Sequence, residues 1–240
     1  MKKSIALFSI VCFVFSFFAA FAQEDGYYEK AVGGYTEKGF YLNGKKDGVW
    51  IKEQKNGNLQ HIESYKDGQK QGIFVEFDKR GYVSKQEYYK DGVLNGWALE
   101  YSGANKPKSK IKYVNGVIEG KKSIYYDNGK LQEESHYKHG RKSGTSKWYD
   151  DKNKLIATYQ YNDGVFNGVN KTFYTNGNVR TEEHYVNNLL TGEYKEFFPT
   201  GKVKISGNYE SDLKDGEWIE YDAHGKVVKT TKFVKGKEKK

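Results

Sequence analysis

The sequence predicts an all-β protein, an elongated single-layer antiparallel β-meander built of about eight 24-residue hairpin repeats. Three observations predict it. Counting from Tyr41 in steps of 24 gives Tyr65, Tyr89, Tyr113, Tyr137, Tyr161, Tyr185, Tyr209 and Phe233 with no insertion or deletion. Seven positions after each tyrosine stands a glycine: Gly48, Gly72, Gly96, Gly120, Gly144, Gly168, Gly192 and Gly216. Each unit also holds two turn signals separated by runs too short for a helix.

The elements follow in chain order. Residues 1–22 open with Lys2 and Lys3, continue as an apolar run and end in Ala20-Phe21-Ala22, the layout of a secretory signal peptide cleaved after Ala22 or, failing cleavage, of a membrane anchor. Residues 23–40, with Gly33-Gly34-Tyr35, read as a degraded preceding unit that caps the first edge of the array. Residues 41–232 hold the eight repeats, 41–64, 65–88, 89–112, 113–136, 137–160, 161–184, 185–208 and 209–232. Residues 233–240 are a partial repeat with a lysine-rich tail, a composition that discourages strand addition.

Within a unit the first turn is Asn43-Gly44, Asp67-Gly68, Asp91-Gly92, Asn115-Gly116, His139-Gly140 or Asp163-Gly164, and it degrades to Asn187-Asn188 and Ser211-Asp212. Asn-Gly and Asp-Gly are hairpin turns because both central residues must take positive φ. The second turn carries Gly or Asn sixteen positions after the tyrosine, at Gly57, Gly81, Asn105, Gly129, Asn153, Gly177, Gly201 and Gly225. Twelve positions after the tyrosine, seven of eight residues are aromatic (Phe77, Tyr101, Tyr125, Tyr149, Phe173, Phe197 and Tyr221), and at eighteen stand Leu59, Val83, Pro107, Leu131, Leu155, Val179, Val203 and Val227. Period-two alternation through residues 131–137 puts Leu131 and Tyr137 on one side, so these stripes are expected on one face, with charges wetting the other.

Composition supports a thin fold. Hydrophobic residues make up 37% and charged residues 30%, yet aromatics reach 16%, with 21 Tyr and 14 Phe. Tyrosine can lie half buried with its hydroxyl in water, which suits a sheet with little interior. The single cysteine, Cys12, lies in the leader, so an exported chain has neither a disulfide nor a thiolate centre. The net charge of +9 falls to +7 without Lys2 and Lys3 and is spread evenly, the mark of a solvated surface, and nucleic acid is not an expected partner for a chain outside the cytoplasm.

No reactive constellation is visible. The histidines His61, His136, His139, His184 and His224 are scattered. His136 and His184 occupy equivalent positions two units apart, about 20 Å at two strands per unit, too far to share one metal ion. Adjacent carboxylates such as Glu133-Glu134 and Glu182-Glu183 face opposite sides of a strand. The glycines mark turns and do not precede a helix, so no phosphate cradle is expected. No catalytic residue, metal site or cofactor is expected.

At this point the unit Tyr-x-Asn/Asp-Gly-x-x-x-Gly-x-Trp/Phe, followed by an aromatic and Asn-Gly-Lys-Leu, resembles the MORN repeat in the variant form found in YwqK-like antitoxin proteins. The best copies are at residues 41–50, 65–74 and 125–131, and the last full unit keeps Gly216, Trp218, Tyr221, Gly225 and Val227. The resemblance implies elongated arrays of β-hairpins, and roles in scaffolding, self-association or contact with membrane lipids. The antitoxin label implies a cytoplasmic protein, which conflicts with the leader. Ala98 and Ser146 interrupt the pattern where Trp50 and Trp218 stand.

The candidate contact surface is the set of rings at Trp50, Phe74, Trp97, Trp148, Tyr194 and Trp218, with the eight glycines as structural turn residues. The reading is an exported protein, periplasmic, surface-bound or secreted, that is non-enzymatic and serves as a protein-binding scaffold, with itself among its partners. A surface that touches anionic lipid or cell-wall glycan is the alternative, and a toxin-neutralising role ranks third.

Overall fold

The computed structural model describes residues 24–103 and 105–239, so the expected leader at 1–22 lies outside the described residues. The described chain contains 22 strands and no helix, all in one antiparallel sheet. Counting each split strand once, every strand pairs with its sequence neighbours, from Gly26–Val32 with Tyr35–Leu42, through Lys45–Gln54 with Leu59–Lys66, to Val227–Val234 with Lys237–Glu238. The result is a single-layer meander without crossovers. The expected sixteen repeat strands are there, three of them split in two, as in Val93–Leu94 followed by Gly96–Ser102. One hairpin, Gly26–Val32 with Tyr35–Leu42, precedes them and forms the first edge.

The first turns hold their geometry even where glycine is lost. Asn187 and Asn188 have φ of 50° and 67°, and Ser211 and Asp212 have the same pair of values. The side chain that replaces glycine compensates by accepting a hydrogen bond from the preceding hairpin. Phe166 N donates to Asn188 Oδ1 at 2.7 Å and Leu190 N to Asp212 Oδ1 at 2.8 Å. Successive turns are also tied through the main chain, from Gly68 N to Lys46 O at 2.9 Å through Gly140 N to Ile118 O at 3.0 Å to Gly236 N to Lys214 O at 2.8 Å. On the opposite rim Tyr126 Oη donates to Tyr149 O, and Tyr174 Oη to Phe197 O. Each unit is therefore fastened to its neighbours along the first rim as well as through the strands, and the units from residue 113 onward along the second rim too.

Two expectations are corrected. The glycines at 48, 72, 96, 120, 144, 168, 192 and 216 are not turn residues; they lie inside or at the start of strands, at a bulge. Between the pairs Tyr65↔Lys70 and Glu63↔Phe74 one strand advances two residues and the other four. The extra backbone needs positive φ, which runs from 70° at Gly48 to 139° at Gly96. Gly48, Gly72 and Gly144 pair directly with Tyr65, Tyr89 and Tyr161, which explains why glycine and tyrosine share one period.

The second correction concerns the stripes. A further register shift recurs just before the residue twelve after each tyrosine, as at Lys52/Glu53, Thr172/Phe173 and Glu220/Tyr221. It moves the second aromatic stripe and the aliphatic stripe to the face opposite the tyrosines. Tyr221 Oη lies 3.4 Å from Ser206 Oγ, and Lys195, Val203, Ser206 and Tyr221 line one open groove of about 550 Å³. Tyr194 and Gly207, each one residue away from the Lys195↔Ser206 pair, face the other way.

Candidate functional site

The sheet offers two faces, and the cross-strand register defines what each displays. On the first, which carries the repeat tyrosines, pairs run Trp50↔Glu63↔Phe74↔Glu87 at one end and Glu183↔Tyr194↔Gly207 at the other, with Ala98↔Ile111↔Lys122↔Ser135 in the middle. Trp50 is only 1% exposed and Trp218 5%. Such burial in a single layer requires neighbours to close over the ring, and these tryptophans have them. Trp50 lies flat on Gly39, where a Cβ would come within 2.4 Å of the indole, and its Nε1 donates to Phe40 O at 3.1 Å. Tyr41 meets it edge-on at 4.9 Å, and Lys46 Nζ sits 4.0 Å above the ring centroid.

Seven units on, the same assembly recurs. Trp218 covers Gly207, donates to Asn208 O at 3.1 Å, meets Tyr209 edge-on at 5.0 Å and carries Lys214 Nζ at 4.0 Å. Phe74 takes the same place with Lys70 Nζ at 4.3 Å, flanked by the paired carboxylates Glu63 and Glu87 instead of a glycine.

Charges on this face are neutralised locally. Glu87, 5% exposed, accepts from Tyr89 Oη at 2.8 Å and from Lys85 Nζ at 2.7 Å. Lys142 pairs with Glu133 at 2.8 Å. Burial, reinforced by the neighbouring carboxylates Glu183 and Glu196, pushes the hydroxyls of Tyr185 and Tyr194 up to about 12. Tyr65 and Tyr89 are raised further, by burial and then by their bonds to Glu63 and Glu87. His61 is lowered by burial, and its Nδ1 stands 3.9 Å from Glu63. Among the described residues no cluster of His, Cys, Asp and Glu is placed to hold a metal ion.

The six candidate rings are therefore not brought together. Trp50, Phe74 and Trp218 are buried on the tyrosine face, Tyr194 is half-buried beside Trp218 at 5.4 Å, and Trp148 is half-buried in the same face, paired with Glu133 and Ala157. Trp97 alone lies on the second face, paired with Lys112 and topped by Lys110 Nζ at 4.4 Å.

That second face holds what a repeat-averaged reading misses. One row crosses the sheet as Ile51↔Ile62↔Val75↔Gln86↔Leu99, then continues Lys110↔Ser123↔Glu134↔Lys147↔Thr158↔Lys171↔Glu182↔Lys195. The adjoining row runs Val49↔Ser64, Ile73↔Tyr88 and Trp97 in the first half, and is polar or charged at Lys121↔His136, Thr145↔Gln160 and Glu193↔Asn208 in the second. The ten positions from Ile51 and Val49 to Leu99 and Trp97 carry no charge in a chain that is 30% charged, although the first row starts, before Ile51, with the charged pair Glu29↔Lys38. Period-two alternation in each strand contains this signal, but it emerges only once the register lines up the strands.

No curated protein matches the chain. Residues 46–67, 118–139, 166–187, 190–211 and 214–235 each match the family model described as MORN repeat variant. The matches all begin at the same phase of the unit, and the unmatched units include those with Ala98 and Ser146 in place of the tryptophan. Five units of this open sheet are thus recognisable as the MORN repeat variant, a repeat array fit to serve as a scaffold.

Proposed function

We propose that the protein is a non-enzymatic scaffold, exported across the inner membrane and then secreted or held at the envelope, that binds protein through the second face of its sheet. The supporting observation is the contrast within that face: the stretch from Ile51 to Leu99, between the charged pair Glu29↔Lys38 and Lys110, is uncharged and mostly aliphatic, and the second half is ion-paired, as in Lys121–Glu134 at 2.7 Å and Lys195–Glu193 at 2.6 Å. An uncovered face is normally polar, as the second half is, so the aliphatic half is the part that gains from a partner. The tyrosine face is already closed by its own rings and lysines. The evenly stepped Lys147, Lys171 and Lys195 favour a second reading, contact with anionic lipid or glycan, which salt would weaken.

Site-specific photocrosslinking in the envelope fraction tests the first reading. A crosslinker at Val49, 54% exposed, is expected to give discrete protein adducts that survive high salt, while one at the equivalent Val169 gives none. Absence of protein adducts from both positions overturns the reading.

A further inference from the structure

We propose that the second face carries a binding site for an acidic polysaccharide, built from Tyr88, Trp97, Lys110 and Lys112 where the uncharged stretch ends. The inference rests on the second reading above, contact with an anionic glycan, and gives it a place and a ligand. The stretch around Val49 and Ile51, to which the protein-binding reading applies, lies on other strands.

The site crosses three neighbouring strands. Tyr88, on Val83–Lys90, and Trp97, on Gly96–Ser102, stand next in the register that pairs Gln86 with Leu99, and Trp97 pairs with Lys112 on Lys106–Val114. Lys110 shares this face, two residues from Lys112, and its Nζ stands 4.4 Å from the centroid of the Trp97 ring. Tyr88 and Lys112 are exposed, and Trp97 is half-buried.

Three properties select the ligand. The first is charge. Lys121, Lys171 and Lys195 on the same face are held by Glu134, Glu182 and Glu193, whereas Lys110 and Lys112 form no ion pair among the described residues. Two ammonium groups on one side of a strand, with Cα atoms about 7 Å apart, call for an anion between them. The second is the pair of rings. A sugar lays its C–H groups, which are slightly positive, on the negative face of an aromatic ring, and Tyr88 and Trp97 offer two rings side by side. Lys110 covers the indole with its own ammonium; an acidic sugar takes that place and keeps the ammonium paired through its acid group. An anionic lipid would satisfy the lysines and leave the rings without a role. The third is span. Tyr88 to Lys112 is two strand spacings, about 10 Å, so a ligand that stacks on Tyr88 while its acid group meets the lysines is longer than one sugar residue. Gln86, whose Nε2 donates to Tyr88 Oη at 3.2 Å, has its Oε1 left to accept from a sugar hydroxyl.

Titration of the purified protein with polygalacturonate, followed by tryptophan fluorescence and calorimetry, tests this. Binding that weakens as salt rises is expected. The methyl-esterified polymer, with the same sugars and no charge, and polyglutamate, with the charge and no sugars, are both expected to bind more weakly. Trp97→Ala is expected to weaken polygalacturonate binding about fivefold, and Lys110→Gln combined with Lys112→Gln about tenfold, each with the far-ultraviolet dichroism of the wild type. Lys147→Gln, in the charged half of the face, is expected to change nothing. A wild-type protein that does not bind polygalacturonate, or that binds polyglutamate as tightly, overturns the proposal, as does unchanged affinity in the doubly substituted protein. If Lys147→Gln abolishes binding instead, or if vesicles of anionic phospholipid bind and polygalacturonate does not, this site fails and the second reading stands. If neither probe binds, both fail, and protein adducts at Val49 still decide the first reading.

Discussion

Two kinds of glycine, which sequence alone does not separate, perform different work. Gly39 and Gly207 have ordinary φ, and their lack of a side chain makes room for an indole; an added Cβ at Gly207 would lie 2.3 Å from Trp218. Gly144 has open space around it, but its φ is +77°. Gly207→Ala should therefore cost about 1–3 kcal/mol by forcing the ring off its seat, and should alter the near-ultraviolet circular dichroism of the tryptophans. Gly144→Ala should cost about 1–2 kcal/mol through backbone strain with the aromatic signal unchanged. Equal aromatic spectra in the two variants would contradict the distinction. The tyrosines supply a pH test. The hydroxyls of Tyr185 and Tyr194 are held up to about 12, above the ordinary 10.0, by burial and nearby carboxylates. The folded state thus keeps these protons more tightly than the unfolded chain. The stability they contribute is complete below pH 10 and is lost as the pH rises toward 12. Tyrosinate absorbance and far-ultraviolet dichroism should change together across that window, whereas full titration near pH 10 in a folded protein would contradict the burial.

At the scale of the element, the unit was legible and its folding onto two faces was not. Asn43-Gly44 and its relatives announced the hairpins, and the uninterrupted Tyr41-to-Phe233 series fixed the number of units. Glycine signals turns and bulges alike, so Gly48 and its equivalents were read as turns when they are bulges within strands. Alternation through residues 131–137 also gave no hint that the register shifts between Ile124 and Tyr125, which separates Tyr125 and Leu131 from the Tyr137 stripe. Trp50 was legible as an important ring but not as a covered one, because its lid is built from Tyr28 and Tyr41 on two other strands together with Lys46 on its own. Since each unit is tied only to its neighbours, Gly144→Val should lower hydrogen-exchange protection in Leu131–Lys138 and Leu155–Asn162 and spare Lys45–Gln54. Uniform loss across the sheet would contradict the nearest-neighbour picture.

For the whole molecule, seventeen strand spacings separate Gly26–Val32 from Val227–Val234 if each split strand counts once, a contour on the order of 80 Å at about 4.8 Å per strand. The ring-covered tyrosine face supplies the cohesion that a second layer gives other sheets, and this frees the opposite face to differ along its length. The non-repeating aliphatic row from Ile51 to Leu99 is a property of the whole array, invisible in any one unit. All of this depends on an open layer in which distant units do not touch. Small-angle X-ray scattering of the purified protein tests that most directly. The account predicts a skewed distance distribution with a long tail and a radius of gyration well above the roughly 18 Å of a compact chain of this length; a symmetric distribution at that compact value would contradict it.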